Sequence, residues 1–300
     1  MSITEPRRVL VTGAGGFTGR YVGDALAAAG HRAVVPADHF DLADAVSLRD
    51  AVAQVDFDDV IHLAAISFVG HNDPAEFYHV NTVGTINLLE AIQASGRKSG
   101  KRVGRIILAS SANIYGNNPI SPIDEDATPA PVNHYATSKV AMELMARQWS
   151  DRLPIVVTRP FNYTGAGQSD RFLVPKIIGH FVRRELAIEL GNIDVTRDFS
   201  DVRDVAAIYV QLLSAPRGTV VNICSGTGRS LRSIIDYCRA ATGHEIAVRV
   251  NPAFVRADEI RELVGSDERL AGLIDAGARR PLDETLDWML AEGRGEQASS

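Results

Sequence analysis

Tyr135 and Lys139 stand four residues apart at the start of a helical run, which puts both side chains on one face, one turn apart. A free phenol has a pKa of about 10 and is a poor base at neutral pH. Because a neighbouring ammonium favours the phenolate, we expect the pKa of Tyr135 to be lowered. Such a tyrosine can exchange a proton with an alcohol or a ketone while a hydride moves at the same carbon.

Lysines are scarce in this chain, so the position of each one is informative. Only four of the 31 basic residues are lysines, and Lys98 and Lys101 share one polar loop. Lys139 and Lys176 are isolated. In a chain that uses arginine almost everywhere, an isolated lysine indicates that a compact ammonium is needed instead of a guanidinium fork.

Two serines end the strand-like run that precedes this helix, in the segment ILASSANIYG. Side chains at the carboxyl ends of parallel strands face the crevice in which such sheets bind ligands. A hydroxyl from Ser110 or Ser111 would hydrogen-bond the reacting oxygen and complete a set with Tyr135 and Lys139. The alternative is a tyrosine and a lysine that merely share a helix surface.

A glycine-rich turn follows the first strand-like run, VLVT. Gly13, Gly16 and Gly19 precede a helical pattern. Glycine permits a tight turn and close approach of the backbone to a pyrophosphate, and the helix N terminus supplies free N–H groups. The turn predicts a dinucleotide site; the alternative is a tight turn without a ligand.

Acidic residues further along bear on which dinucleotide is bound. A carboxylate about 20 residues past the glycines bonds the ribose of NAD, whereas an arginine there accommodates the 2′-phosphate of NADP. Asp38 is the candidate for the ribose, and Asp41 is a candidate for the adenine. Alternatively, either aspartate is a solvated turn residue that contacts no cofactor. No arginine directly follows the second strand, which favours NAD over NADP by a small margin.

Short β-rich runs alternate with helix-length stretches through the first half of the chain. The pattern predicts strands at 8–12, 32–35, 59–63, 105–109 and 155–159, and helices at 19–29, 45–53, 74–94 and 135–150. This alternation, with near-continuous apolar strands, is typical of an α/β fold in which a doubly wound parallel sheet of the Rossmann type is covered on both faces.

The regular alternation of strands and helices ends after Pro160, where a polar, glycine-rich loop begins. A helix at 202–213 and a strand at 220–223 indicate a return to the main sheet. We therefore expect a dinucleotide-binding domain of residues 1–162 and 200–223. Residues 163–199 and 224–300 are expected to form a smaller, discontinuous substrate-binding lobe.

Composition excludes several classes of function. The 300 residues are 45% hydrophobic with a formal net charge of −6, so the chain lacks the positive field that nucleic-acid binding requires. No run approaches the ~18 apolar residues of a membrane span, and no signal peptide precedes the first strand, so we expect a cytoplasmic location. Cys224 and Cys238 have no metal-ligand spacing, which indicates small core residues and no metal site.

Several segments together resemble the extended short-chain dehydrogenase/reductase family, and the resemblance covers nearly the whole chain. The segments are TGAGGFTG (12–19), HLAA (62–65), NTVGT (81–85), SSANIYG (110–116), YATSK (135–139), RPFN (159–162) and RDFSDVRDV (197–205).

The resemblance assigns roles to these segments. Ser111, not Ser110, is implied as the catalytic serine beside Tyr135 and Lys139, and Asn81 is implied to support the active-site backbone. The residues implied along the cofactor, besides the glycines and aspartates above, Asn81 and the Tyr-Lys pair, are Phe17, Thr18, Leu42, Leu63, Ala64, Ala65 and Pro160.

Within the family, the second half most resembles the GDP-4-keto-6-deoxy-mannose reductases and the neighbouring GDP-mannose 4,6-dehydratases. The segments that carry this are RPFNYTGAGQ, LGNIDVTRDFSDVRDV, RADEI and GSDERL. The resemblance implies that Asn162, Lys176 and Arg197 hold a nucleotide diphosphate, that Arg256 pairs with a phosphate and that Glu259 bonds ribose hydroxyls. Two arginines and a lysine can neutralise a pyrophosphate through charge-assisted hydrogen bonds.

The residues after the serine bear on the reaction type. Dehydratases of this family carry an additional acid and base where this chain has Ala112 and Asn113, and neither of these can act as an acid or base. The resemblance therefore favours reduction of a C4 ketone on a GDP-linked 6-deoxyhexose or 6-deoxyheptose, for bacterial surface polysaccharide synthesis. Ser67 and Phe68 are expected to contact the sugar, together with Ser111, Ala112 and Asn113.

Other possibilities stay open at this point. A nucleotide-sugar 4-epimerase with retained NAD needs only the same three catalytic groups. A non-catalytic nucleotide-binding protein has no need to keep all three. Finally, the helices within NTVGTINLLEAI and YATSKVAMELMARQW carry more apolar residues than one buried face requires, and the resemblance implies a homodimer through a four-helix bundle.

Overall fold

Six parallel strands form the central sheet of the computed structural model, which describes residues 6–36, 40–100, 102–254, 259–275 and 277–298. The strands lie in the order β2-β1-β3-β4-β5-β9, and every neighbouring pair is parallel. This confirms the predicted α/β, Rossmann-type sheet. The strands are β1 Arg8–Thr12, β2 Arg32–Val34, β3 Asp59–His62, β4 Ile106–Ala109, β5 Ile155–Pro160 and β9 Val220–Ile223.

Helices cover both faces of this sheet because successive strand side chains point to opposite sides. Val9 and Val11 pack with Val22 of α1 on one face, whereas Leu10 packs with Leu88 of α4 on the other. The first face carries α1 and α7, and the second carries α2, α4 and α5. These helices are α1 Phe17–Ala28, α2 Ala45–Ala53, α4 Gly84–Ser99, α5 His134–Arg147 and α7 Val202–Gln211.

The strand order reverses at β1, which has β2 on one side and β3 on the other. At such a point the connections leave in opposite directions and open a crevice at the carboxyl ends of the strands. Thr12 ends β1 and His62 ends β3, so both lie at this crevice.

The predicted helix 74–94 is interrupted. It consists of α3 (Pro74–Phe77), a π-helical segment (Tyr78–Val83) and then α4. Gly84 begins α4 where a Cβ atom would lie 2.7 Å from Cβ of Leu42, so the close approach to the preceding loop requires glycine. The extra residue of a π-turn rotates the side chains around it, and π-bulges occur often at functional sites. Here Asn81 lies within the turn and is buried.

Much of the second half packs around a separate hydrophobic cluster that includes Ile177, Phe181, Ile234 and Leu286. Leu270 instead joins the cluster on the first face of the main sheet, and Leu263 joins another cluster with Phe161. Strand β8 pairs with β6, β10 and β12, and β7 pairs with β11. The proposed domain boundaries remain a prediction. Among the described helices, none is long and apolar enough to cross a membrane. The elements are β6 Asn162–Thr164, β7 Ala187–Leu190, β8 Thr196–Asp201, β10 Gly228–Ser230, β11 Ala247–Val250, β12 Glu262–Leu263, α6 Leu173–Val182, α8 Leu231–Thr242, α9 Glu268–Leu273 and α10 Leu282–Ala298.

Candidate active site

The glycine turn has the shape that a pyrophosphate requires. Gly13 adopts a positive φ of 74°, and a Cβ atom at Gly19 would lie 2.2 Å from the carbonyl oxygen of Gly13. The N terminus of α1, at Gly16, has no side-chain capping hydrogen bond. Around Gly15, no described atom lies within 4 Å of the position a Cβ would take. The Gly16 N–H is used within the turn, donating to the Gly13 carbonyl oxygen at 3.0 Å. The uncapped N terminus of α1, with the positive end of its dipole, fits a dinucleotide diphosphate.

Phe17 and Thr18 follow the turn and face the segment after β5. The ring of Phe17 stacks on Tyr163 with centroids 6.4 Å apart, and Thr18 Oγ1 lies 2.9 Å from the Tyr163 hydroxyl. Tyr163 was missed by the sequence interpretation, although it stands in the quoted segment RPFNYTGAGQ. Its contacts tie the glycine turn to β6.

Other predicted cofactor residues surround the same crevice. Leu63, Ala64 and Ala65 follow β3, and the Ala64 N–H donates to Thr12 Oγ1 at 3.3 Å. Pro160 is buried at the end of β5. Asp41 is exposed and accepts a hydrogen bond from the Ala43 N–H, and the neighbouring Leu42 is buried; Asp38 lies outside the described residues.

Ser111, Tyr135 and Lys139 converge at the carboxyl end of β4. All three are buried, and the Ser111 hydroxyl is near enough to Tyr135 to affect the pKa of its phenol. Ser111 caps the short 3₁₀ turn that follows it, accepting from the backbone N–H of Asn113 at 3.2 Å and from its side-chain amide at 3.1 Å. With both acceptor positions of Ser111 used, its proton is available to Tyr135 or to a ligand oxygen.

Burial, and not the neighbouring ammonium, dominates the ionisation of Tyr135. Desolvation raises its pKa to about 12, and the polar influence of the Ser111 hydroxyl opposes this only in part. The predicted lowering was therefore wrong. The physical reason is that a buried phenolate loses its hydration. Tyr135 is a neutral phenol at pH 7 and can donate its proton.

Lys139 carries its charge deep in the same site. Its Nζ donates to the Ala109 carbonyl oxygen at 2.8 Å, and burial lowers its pKa to about 8. Glu143, one turn further along α5, opposes that shift. Glu143 in turn forms a buried, two-pronged ion pair with Arg159, at 2.8 and 3.1 Å. The sequence interpretation missed this pair; an arginine in a continuous buried strand was its one available signal.

Asn81 connects the π-turn to the catalytic helix. Its Oδ1 accepts from the Ile66 N–H at 2.9 Å, and its Nδ2 donates to the Ile66 carbonyl and to Ser138 Oγ, both at 3.1 Å. Ser138 then donates to the carbonyl of Tyr135 at 2.7 Å. Asn81 thus holds both the loop after β3 and the first turn of α5.

The residues expected around a sugar lie at two sides of the crevice. Phe68 packs edge-on against Phe172, the residue before α6, and the centroids of the two rings are 5.9 Å apart. Ser67 is exposed beside it. Ala112 is fully buried, and Asn113 is occupied with Ser111.

The residues expected at a diphosphate are spread over three elements. Asn162 lies on β6, Lys176 on α6 and Arg197 on β8. Lys176 Nζ donates to the Glu189 carbonyl and lies 4.9 Å from the centre of the Phe254 ring.

Of the two further residues expected at the nucleotide, Glu259 lies shortly before β12. Arg197 donates to the carbonyls of Ile260 and Arg261, which brings it to the segment that begins with Glu259. Glu259 Oε2 is buried without a hydrogen-bond partner among the described residues. Arg256 lies outside the described residues.

Known proteins are similar to this chain in sequence and in fold. A family model described as the NAD dependent epimerase/dehydratase family matches residues 9–224. The GDP-6-deoxy-D-talose 4-dehydrogenase of Aggregatibacter actinomycetemcomitans is 36% identical over 89% of this chain and 91% of its own length. The GDP-6-deoxy-D-mannose reductase of Pseudomonas aeruginosa is 37% identical over 88% of this chain and 90% of its own length.

A solved structure is also similar to this chain. The Pseudomonas aeruginosa protein RMD, in complex with NADPH, superposes with a TM-score of 0.88 at 32% identity, covering 97% of this chain and 99% of that one. The resemblance, the fold class and the nicotinamide cofactor inferred from the sequence are thereby confirmed. The chain belongs to the NAD-dependent epimerase/dehydratase family and is an NAD(P)-dependent enzyme.

Proposed function

We propose that this protein reduces the C4 ketone of a GDP-linked 4-keto-6-deoxy sugar with NAD(P)H. The observation that supports the proposal is that Ser111, Tyr135 and Lys139 are all buried at the carboxyl end of β4, with Lys139 Nζ bonded to the Ala109 carbonyl at 2.8 Å. A phenol that is protonated at pH 7 can donate its proton to the oxygen of a ketone as that ketone is reduced.

Each group has one task in this reaction. Ser111 donates a hydrogen bond to the ketone oxygen and orients it, and Tyr135 delivers a proton to that oxygen as the C4–H bond forms. Lys139 supplies a fixed positive charge near the developing negative charge on the oxygen. When bound, the reduced nicotinamide supplies the hydride, so the ketone becomes a secondary alcohol and one NAD(P)H is oxidised.

The choice of sugar rests on the relatives and on the residues after Ser111. The two relatives are named for 6-deoxy-talose and 6-deoxy-mannose, sugars that differ in configuration at C4, so one ketone gives either product according to the face that receives hydride. Ala112 and Asn113 supply no further acid or base, which argues against a dehydratase. Lys176 and Arg197 are the described cations that we assign to the diphosphate, with Arg256 and Glu259 as their expected partners.

We also propose that two copies associate through α4 and α5. The observation that favours this assembly is the exposure of two large apolar side chains, Val83 just before α4 and Leu144 on α5. A donor sugar made in this way would serve glycosyl transfer into a surface polysaccharide.

The test is direct. Purified protein is mixed with GDP-4-keto-6-deoxy-mannose and either NADH or NADPH, and the absorbance of the reduced nicotinamide is followed while the sugar product is identified by NMR. We expect stoichiometric oxidation with formation of one C4 epimer, and slower turnover with the UDP and dTDP analogues. Interconversion of C4 epimers without net nicotinamide oxidation would assign an epimerase instead.

A further inference from the structure

His62 lies at the carboxyl end of β3 and has a role that neither the motifs nor the proposed reaction assigns. Its side chain is 3% exposed, and both ring nitrogens are hydrogen-bonded. Nδ1 lies 2.6 Å from Thr12 Oγ1, at the end of β1, and Nε2 lies 3.0 Å from Thr85 Oγ1, at the start of α4.

The neighbouring hydrogen bonds determine which atom is the donor in each of the two bonds to the His62 ring. Thr85 donates its hydroxyl proton to the Asn81 carbonyl at 2.8 Å, so its oxygen accepts from the ring, and Nε2 carries the hydrogen. Nδ1 is then the acceptor, and Thr12 donates to it while accepting from the Ala64 N–H at 3.3 Å. Burial and the nearby charge of Lys139 lower the pKa of His62 to about 3, which keeps the ring neutral and both roles intact at pH 7.

The hydrogen bonds on the two sides of His62 lead to two different parts of the site. On one side, Thr12 and Ala64 border the crevice where the cofactor is expected. On the other side, Thr85 holds the carbonyl of Asn81, whose side chain holds Ile66 and Ser138, and Ser138 holds the carbonyl of Tyr135. Each link is a hydrogen bond made by a side chain. His62 itself bonds two different elements, β1 through Thr12 and α4 through Thr85, and Asn81 bonds the loop after β3 and α5, so a shift at His62 is transmitted to both parts.

We propose that His62 is a positioning residue that aligns the catalytic helix with the cofactor crevice through two separable hydrogen bonds. The Thr85 bond sets the position of Tyr135 by way of the π-turn, and the Thr12 bond sets the backbone at Ala64. This inference rests on the proposed function only where kcat is measured; the NAD(P)H affinity and the NMR measurement do not depend on it.

Two substitutions separate the bonds, because asparagine places a polar group near the position of Nδ1 and glutamine places one near that of Nε2. His62→Asn keeps an acceptor for Thr12 and loses the donor to Thr85. We expect its kcat to fall about 30-fold with an unchanged dissociation constant for NAD(P)H, since small misalignment of reacting groups costs up to about 100-fold. Thr85→Val, which leaves His62 in place, should reproduce this result.

His62→Gln keeps the donor to Thr85 and loses the acceptor for Thr12. We expect kcat within about 3-fold of the parent protein, and NAD(P)H binding weakened about 5-fold, the effect of one neutral hydrogen bond. Thermal melting of each variant, followed by circular dichroism, shows that the compared proteins are folded. ¹⁵N NMR of the parent protein should show a neutral ring with hydrogen on Nε2, without any substrate present.

A role limited to filling the core predicts something different. Both variants would then lower the melting temperature, and the two variants would have the same kcat and the same NAD(P)H affinity. That result would overturn the proposal. A ring with hydrogen on Nδ1 would also overturn it. If the parent protein consumed no 4-keto sugar, the proposed function would fail, whereas the NMR and the NAD(P)H affinities would still decide the role of His62.

Discussion

Lys139 Nζ donates a hydrogen bond of 2.8 Å to the carbonyl oxygen of Ala109, joining α5 to the last residue of β4. This contact holds a buried ammonium beside the strand end from which Ser111 follows, within one helical turn of Tyr135. The charge is retained at a cost, because burial lowers the pKa of Lys139 from 10.5 to about 8. Sites that keep such a group trade stability for function.

Replacing Lys139 should therefore separate stability from turnover. Lys139→Met removes the buried charge, and we expect turnover to fall by more than about 100-fold while the free energy of unfolding at pH 7 rises by about 2 kcal/mol. Between the folded pKa of about 8 and the unfolded value of 10.5, the unfolded parent chain binds more protons, so the parent gains stability with rising pH. The advantage of the variant should shrink over that window in urea titrations. A variant less stable than the parent at pH 7 would contradict this.

Tyr135→Phe removes the proton donor and leaves the ring. We expect kcat to fall by about 10³-fold with NAD(P)H affinity within about 2-fold, because general acid catalysis is lost while the crevice keeps its shape. Stopped-flow measurement of hydride transfer and fluorescence titration of NAD(P)H test the two parts. Tyr237→Phe, on α8, is the matched control and should keep full turnover. Unchanged turnover in the Tyr135 variant would remove it from the mechanism.

The glycine turn can be tested by two alanines in one helix. At Gly19 a Cβ would lie 2.2 Å from the Gly13 carbonyl oxygen, whereas at Gly23 no described atom lies within 4 Å. Gly19→Ala should displace the turn and weaken NAD(P)H binding by more than about 100-fold, since the pyrophosphate contacts depend on close backbone approach. Gly23→Ala should bind normally and gain about 1 kcal/mol of stability from helix propensity. Equal affinities measured by calorimetry would count against this assignment.

His62 should make the protein sensitive to acid. Its folded pKa is about 3 and its unfolded value is 6.5, so below pH 6.5 the unfolded chain takes up a proton that the folded chain excludes. The free energy of unfolding then falls with falling pH, by up to about 1.4 kcal/mol per pH unit. His62→Gln cannot titrate, so between pH 6.5 and about pH 4.5 it should lose about 2 kcal/mol less than the parent. Parallel pH profiles for the two proteins in urea denaturation would show that the ring already accepts the proton when folded.

The proposed dimer can be broken by one charge. Leu144 on α5 is 53% exposed, and Leu144→Glu would place a carboxylate in an apolar contact, so we expect a monomer in light scattering. Leu186 is 84% exposed and precedes β7, so Leu186→Glu is the matched control and should leave the mass unchanged. A parent protein that is already monomeric at micromolar concentration would rule out this assembly.

The sequence by itself determined the parallel sheet, the glycine turn and the group of Ser111, Tyr135 and Lys139. The sheet, the turn and the Tyr135–Lys139 pair depend on local rules: apolar periodicity, the backbone freedom of glycine, and helical spacing. Such rules act over a few residues, and so they are readable without a fold. The choice of Ser111 over Ser110 came from the family resemblance. The sequence also predicted the family, because its short motifs occur in a fixed order along the chain.

Only the tertiary structure decided the ionisation of Tyr135 and the role of His62. The spacing of Tyr135 and Lys139 predicted a lowered phenol pKa, but desolvation depends on everything packed around the ring, and it raises that pKa to about 12. Likewise, hydrogen bonds join His62 to Thr85 and Thr85 to Asn81, and Asn81 lies in a π-helical segment. Apolar periodicity cannot reveal that segment, because periodicity reports which face is buried and not where one extra residue enters a helix.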